Sequence, residues 1–168
     1  KTEMGYDNVK DAFARTLENL NTDYLDLYLI HWPLPVPGYK DWKQLDKETW
    51  IAMEELYHEG KVRAIGLSNF LPHHIENILE DCTVRPAADQ IEYHPGYSQE
   101  ATVQYCKEKN IIVQAWSPIG RQRVLDETLV QELAEKYKVS PAQICLKFAA
   151  QRGIIPLPKS SSIERMKE

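Results

Sequence analysis

Cysteine is scarce in this 168-residue sequence, and Cys82, Cys106 and Cys145 form an odd number at wide spacings with no Cys-x-x-Cys. That excludes a disulfide framework and offers no zinc-knuckle spacing, so the three are read as small buried hydrophobes of a reducing compartment. Glycine is sparse too, seven in all, and neither Gly-x-Gly-x-x-Gly nor a P-loop occurs. Long apolar runs are missing as well. No stretch reaches the ~20 residues of a membrane span, and the opening Lys1-Thr2-Glu3-Met4 lacks the apolar core of a signal peptide, so a cytoplasmic location is expected. Nor is basic charge in excess. Twenty Lys and Arg stand against 25 Asp and Glu, a net charge of -5 that argues against a general nucleic-acid binder. What remains, with 43% hydrophobic residues, suits one soluble domain burying roughly two-thirds of its unfolded surface.

The stretch Asp7 to Leu20 places Val9, Ala12, Phe13, Leu17 and Leu20 at helical spacing, one apolar stripe for burial. Leu25 to Ile30 reads as a buried strand, and the three prolines between His31 and Gly38 make the following segment a loop. The alternation then recurs. A helix is expected over Lys47 to His58 with Gly60 as its cap, then a strand Val62 to Ser68, a helix Pro72 to Leu79 and a strand Ala87 to Tyr93. A helix Gln99 to Lys109 and a strand Ile111 to Ser117 follow. Helices over Asp126 to Tyr137 and Ser140 to Gln151 come next, the second opened by the N-cap and first-turn pair Ser140-Pro141. The last strand is Gly153 to Pro158, and Ser161 to Glu168 starts a further helix.

Five strands alternating with helices imply a parallel sheet covered by helices. A doubly wound sheet ordinarily shows a glycine-rich loop after its first strand, where backbone approaches phosphate, and none is present. A barrel of such units carries its chemistry on the loops after the strands. The distinctive residues sit there: His31 and Trp32, Ser68 and Asn69, Gln90 to His94, Trp116 and Ser117, Lys159 and Ser160. The barrel is therefore favoured.

By its chemistry a histidine ending a buried strand serves as a proton donor to a carbonyl or as a satisfied structural group. Ser68, Asn69 and Gln90 offer a hydroxyl and two amides that match a ligand carboxamide, or cap turns. Trp116 suits stacking on a flat ring, or core packing. Lys159, Ser160, Ser162 and Arg165 combine two cations and two hydroxyls at a helix start, which reads as a phosphate site or a solvated basic turn. The pairs His73-His74 and His58-Glu59 are expected to be solvent-exposed, because adjacent side chains on a helix diverge.

Five runs then carry a resemblance. Leu25-Asp-Leu-Tyr-Leu-Ile-His31-Trp32-Pro33, Gly60-Lys-Val-Arg-Ala-Ile-Gly-Leu-Ser68-Asn69-Phe70, Gln90-Ile-Glu-Tyr-His-Pro95, Ala115-Trp116-Ser117-Pro118-Ile119-Gly120 and Ile155-Pro-Leu-Pro-Lys159-Ser160, with Arg165 after them, closely resemble the aldo-keto reductases. The match runs from end to end in the family's order, and is nearest to bacterial members that act on small aldehydes, diketones or sugar-derived ketones. The resemblance implies a TIM (β/α)8 barrel, here partial, that reduces carbonyls to alcohols by hydride transfer from NADPH. It implies that His31 is the catalytic histidine that orients the carbonyl and that Trp32 walls the substrate pocket. It assigns Ser68, Asn69 and Gln90 to the nicotinamide carboxamide and Trp116 to stacking on that ring. Ser117 and Ile119, with Arg121 beside them, fall on the loop over the pyrophosphate. Lys159, Ser160, Ser162 and Arg165 match the 2′-phosphate pocket, and Glu168 an adenine contact.

The family's catalytic group also includes a Tyr, a Lys and an Asp, which by the resemblance belong to a segment before Lys1. The C-terminal loop that selects substrates is likewise absent from the 168 residues. The expectation is a single partial barrel over residues 1–168, lacking the first strands and that loop, with impaired turnover by itself, since removing acid–base help costs about 10² to 10⁴ in rate. The alternative is a truncated, non-catalytic NADP-binding module; a third reading is a barrel isomerase or lyase taking a phosphorylated substrate at Lys159-Ser160. Open, apolar strand edges beside Leu25 to Ile30 and Ile154 to Leu157 are expected to promote self-association of a chain whose intact relatives are monomeric.

Overall fold

The computed structural model describes residues 3–167 and divides into two compact units, one holding the chain through Asp89 with Glu108–Ile111, the other Gln90–Lys107 with Ile112 onward. The first unit carries α1 (Tyr6–Leu20), β1 (Tyr28–Ile30), α2 (Trp42–His58), β2 (Ile65–Ser68), α3 (Pro72–Leu79) and the start of β3 (Ala88–Glu92). β1 and β2 are parallel, with Tyr28 opposite Ile65, Leu29 opposite Gly66 and Ile30 opposite Leu67. The expected strand from Leu25 is shorter in the structure, but Leu25 bridges Val62 in the same direction, so its six residues follow one path. All four residues of β2 are buried, as befits a parallel strand covered on both faces. Gly66 is needed there for close approach, since a Cβ would lie 2.6 Å from the Ala88 carbonyl oxygen and 2.8 Å from Leu29 Cδ2.

Helix α1 buries Val9, Ala12 and Phe13 and packs on α2, which buries Trp50, Ala52, Met53 and Leu56. Its apolar stripe ends sooner than its periodicity suggests. Leu20 is exposed, because the helix stops at Asn21, whose left-handed backbone turns the chain away. Helix α2 starts at Trp42, five residues before the expected Lys47, and ends as anticipated at Gly60, where φ is +71° and the amide donates to the Tyr57 carbonyl.

The second unit contains the rest of β3, α4 (Glu100–Glu108), β4 (Ile112–Trp116), a 3₁₀ segment (Gly120–Asp126), α5 (Thr128–Tyr137), α6 (Pro141–Ala150), β5 (Ile155–Leu157) and the short α7 (Ile163–Lys167). β4 and β5 are parallel, with Gln114 opposite Ile155 and Trp116 opposite Leu157. Strand order follows the chain, β1-β2-β3 in the first unit and β3-β4-β5 in the second. Ser140 caps α6 as its sequence suggests. Its hydroxyl accepts from the Gln143 amide, while the Gln143 side chain accepts from the Ser140 amide, a reciprocal capping box. Cys106 and Cys145 are buried and Cys82 half-buried, all three as free thiols.

The expected exposure of the His73-His74 pair holds for His73 and fails for His74, which is 7% exposed. Trp42 reaches over from α2 and meets the His74 ring edge-on at 4.9 Å, covering it. No helix among the described residues is long and apolar enough to cross a membrane.

Candidate active and cofactor site

In the first unit the site begins where β1 ends. His31 is exposed, and its ring lies 6.3 Å from that of the half-exposed Trp32. Ser68 closes β2, is buried, and is followed by Asn69 with φ +63°. That left-handed backbone is uncommon outside glycine and best tolerated by asparagine. It turns the side chain back so that Nδ2 donates to the His31 carbonyl oxygen at 2.9 Å and to Ser68 Oγ at 3.1 Å. The parallel pairing of β1 and β2 makes this possible, since it brings the ends of both strands side by side. A cavity of about 140 Å³ opens beside β1, walled by Tyr28, Ile30, His31, Trp32 and Met53.

In the second unit, alternation along β3 and β4 decides which side chains share a face. Gln90 on β3 donates from Nε2 to Oε1 of Gln114 on β4 at 3.1 Å. Gln114 and Trp116, two residues apart, remain half-buried while Val113 and Ala115 between and beside them are buried. Gln114 was not anticipated as a site residue; its two-residue spacing from Trp116 was the available signal. The Arg121 guanidinium lies 5.8 Å from the Trp116 ring centroid, within cation–π range. The intervening loop is tightly coiled, with Ser117, Gly120, Arg121 and Gln122 all at positive φ. The Ser117 carbonyl accepts from the Gly120 amide at 2.8 Å and the Ile119 carbonyl from the Gln122 amide at 2.9 Å.

The basic segment follows β5. Lys159 and Arg165 are both exposed. Ser160 Oγ donates to the Ser162 carbonyl and accepts from the Ser162 amide, so this hydroxyl fixes the turn into α7. Ser162 Oγ accepts from the Arg165 amide and donates to Glu164 Oε2 at 2.7 Å, which holds the Glu164 carboxyl below its usual range. Two cations and two hydroxyls therefore sit within seven residues, with Glu164 as an acidic neighbour. Glu168 lies outside the described residues. No group of three His, Cys, Asp or Glu side chains placed to hold a metal occurs among the described residues.

The chain matches the aldo/keto reductase family over residues 1–168. It belongs to that family. It is 42% identical over 166 residues to glyoxal reductase of Bacillus subtilis, a match covering 99% of this chain and 57% of that protein. Among solved structures it resembles the aldo/keto reductase of Brucella melitensis at a TM-score of 0.90 and 38% identity, over 99% of this chain and 62% of the other. A Bombyx mori aldo-keto reductase in complex with NADP gives a TM-score of 0.86 at 35% identity, over 98% of this chain and 57% of that one. The expected fold class, a partial barrel of this family, is in keeping with these likenesses, and the chain spans less than two-thirds of each relative's length. His31 and Asn69 directly follow β1 and β2, Gln90 lies within β3, and Trp116 closes β4 opposite Leu157.

Proposed function

We propose that this chain belongs to an NADPH-dependent carbonyl reductase acting on small aldehydes, diketones or sugar-derived ketones. The observation that carries the reading is the bond from Asn69 Nδ2 to the His31 main-chain carbonyl, which ties the Asn69 amide to the backbone of His31 at adjoining strand ends. The residues present fit the cofactor. Trp116 is half-buried two residues from Gln114 of the Gln90–Gln114 amide pair, and Lys159 and Arg165 present their charge to solvent for a phosphate.

When bound, NADPH supplies the hydride. His31 orients the substrate carbonyl through an imidazole N–H, and Trp32 limits the size of what lies against it. In the first unit Ser68 and Asn69 would offer a hydroxyl and an amide to the carboxamide; in the second, Gln90 would offer an amide and Trp116 a face for the nicotinamide. Ser117 and Ile119 cover the pyrophosphate, while Lys159, Ser160, Ser162 and Arg165 take the 2′-phosphate.

A second reading, a binding module that takes the cofactor without turnover, rests on the amide-bearing residues alone, Asn69 and the Gln90–Gln114 pair. Titration with NADPH while following tryptophan fluorescence, alongside NADPH oxidation with methylglyoxal, separates the two. Quenching with oxidation is expected for the reductase, and quenching alone favours the module. The absence of quenching overturns both.

A further inference from the structure

Two features close in sequence to the left-handed Asn69 are not used by the proposed chemistry: a buried histidine and a buried phenylalanine. His74 stands in the first turn of α3, with its Nδ1 3.1 Å from the Leu71 amide, which donates to it. An accepting Nδ1 carries no proton, so the ring is neutral. Burial, with a smaller contribution from the adjacent His73, pushes its pKa down to about 4, in keeping with that state. The ring is clamped between Trp42 at 4.9 Å and Phe70 at 5.9 Å, both edge-on. Phe70 itself is fully buried, immediately after Asn69.

Two anchors therefore bracket the turn that carries Asn69. On one side Asn69 Nδ2 is tied to the His31 carbonyl and Ser68 Oγ; on the other, two residues later, the Leu71 amide is tied to His74. A left-handed asparagine between a strand and a helix relaxes toward more populated backbone regions unless both flanks are held. The helix does not hold the turn by its own bonds alone, because the amides at a helix start lack intrahelical acceptors.

We propose that His74 is a positioning residue for the cofactor site, its Nδ1 fixing the Leu71 amide and thereby the left-handed Asn69 that contacts the nicotinamide carboxamide. This rests on the reading of Asn69 as a cofactor contact. His74 touches neither cofactor nor substrate and acts through the Asn69 turn.

Two substitutions separate positioning from plain stability. His74→Phe keeps an aromatic ring between Trp42 and Phe70 but removes the acceptor; His74→Asn loses the ring but places Oδ1 where Nδ1 stood. Positioning predicts that NADPH affinity of the chain, measured by tryptophan fluorescence, falls about threefold to tenfold in His74→Phe, as for one lost hydrogen bond. It predicts affinity within about twofold of the parent in His74→Asn, a change below that of one hydrogen bond, although that variant melts lower for want of the ring. A purely structural histidine gives the reverse order, affinity tracking melting temperature, and that result overturns the proposal. If the parent chain itself binds no NADPH, the cofactor reading fails separately. The Asn69 side-chain amide resonances then decide, since positioning requires them to shift in His74→Phe and stay in place in His74→Asn, and equal spectra overturn it.

Discussion

The Asn69 side chain and the His31 main chain are joined at 2.9 Å, Nδ2 to carbonyl oxygen, across the ends of two parallel strands. The contact requires the left-handed backbone at Asn69, so conformation and hydrogen bonding can be tested apart. Asn69→Gly keeps access to positive φ while deleting the amide; Asn69→Ala deletes the amide and adds a Cβ penalty of about 1 kcal/mol. Both variants are expected to bind NADPH several-fold more weakly than the parent. In urea, Asn69→Ala should be the less stable of the two by about that 1 kcal/mol. Equal urea midpoints would argue that the turn is not held in the left-handed region.

Asp46 on α2 makes the opposite kind of statement, a carboxyl without compensation. It is fully inaccessible and neither of its oxygens has a hydrogen-bond partner among the described residues. Burial pushes its pKa from 3.8 to about 8. The raised pKa means that the proton is held more tightly in the folded state. The group's contribution is therefore fully favourable below about pH 4 and is lost as pH rises to about 8, where the folded chain must bury a charge. Asp46→Asn removes the titration. Comparing urea unfolding of the two chains at several pH values, the parent should lose on the order of a few kcal/mol relative to the variant between pH 4 and pH 8. Parallel stability curves would sink this account.

Asp46 also illustrates why some features could not be read from the chain. A helix expected to start at Lys47 leaves Asp46 outside it; only with α2 starting at Trp42 does Asp46 share a face with the buried Thr49 and Trp50. His74 is similar. Divergence of adjacent helical side chains speaks against a shared ligand but not against burial of one of them, and the burial of His74 depends on Trp42, thirty-two positions earlier in the chain. The Gln90–Gln114 pair requires knowing that β3 and β4 are neighbours, and the coiled loop at Ser117 to Gln122 reaches positive φ at three non-glycine residues, which no composition signal marks. What was legible rests on local chemistry: Ser140-Pro141 opening α6, Pro72 opening α3, Gly60 ending α2, and apolar strands followed by polar residues with functional groups.

The β5 strand bears on the expected self-association. Ile155 is 46% and Leu157 41% exposed, and β5 pairs with β4 on one side at the end of the strand order. Natural outer strands are commonly protected by charge, and here only Pro156 interrupts the apolar side chains. The chain is expected to associate with rising concentration in sedimentation velocity, and the double variant Ile155→Lys, Leu157→Lys to stay monomeric. If parent and variant sediment alike, association does not run through this strand.

The basic segment yields the most selective prediction. NADPH differs from NADH only by the 2′-phosphate, so a residue that serves that group alone distinguishes the two cofactors, whereas a residue that supports the fold affects both. The Lys159 and Arg165 side chains are exposed and make no ion pair among the described residues, which leaves their loss structurally mild. Each change to alanine is expected to weaken NADPH by about tenfold, one charged hydrogen bond, while NADH binding stays nearly constant. Because both cations stand in solvent, the preference for NADPH should itself shrink as salt is raised, with ionic screening over about 10 Å at 0.1 M. Glu164 opposes them. Held by Ser162 and kept ionised, it repels the phosphate, so Glu164→Gln is expected to raise NADPH affinity and leave NADH unchanged. Titrating both cofactors into the three variants at low and high salt tests the assignment, and equal effects on NADPH and NADH would return this segment to an ordinary solvated turn.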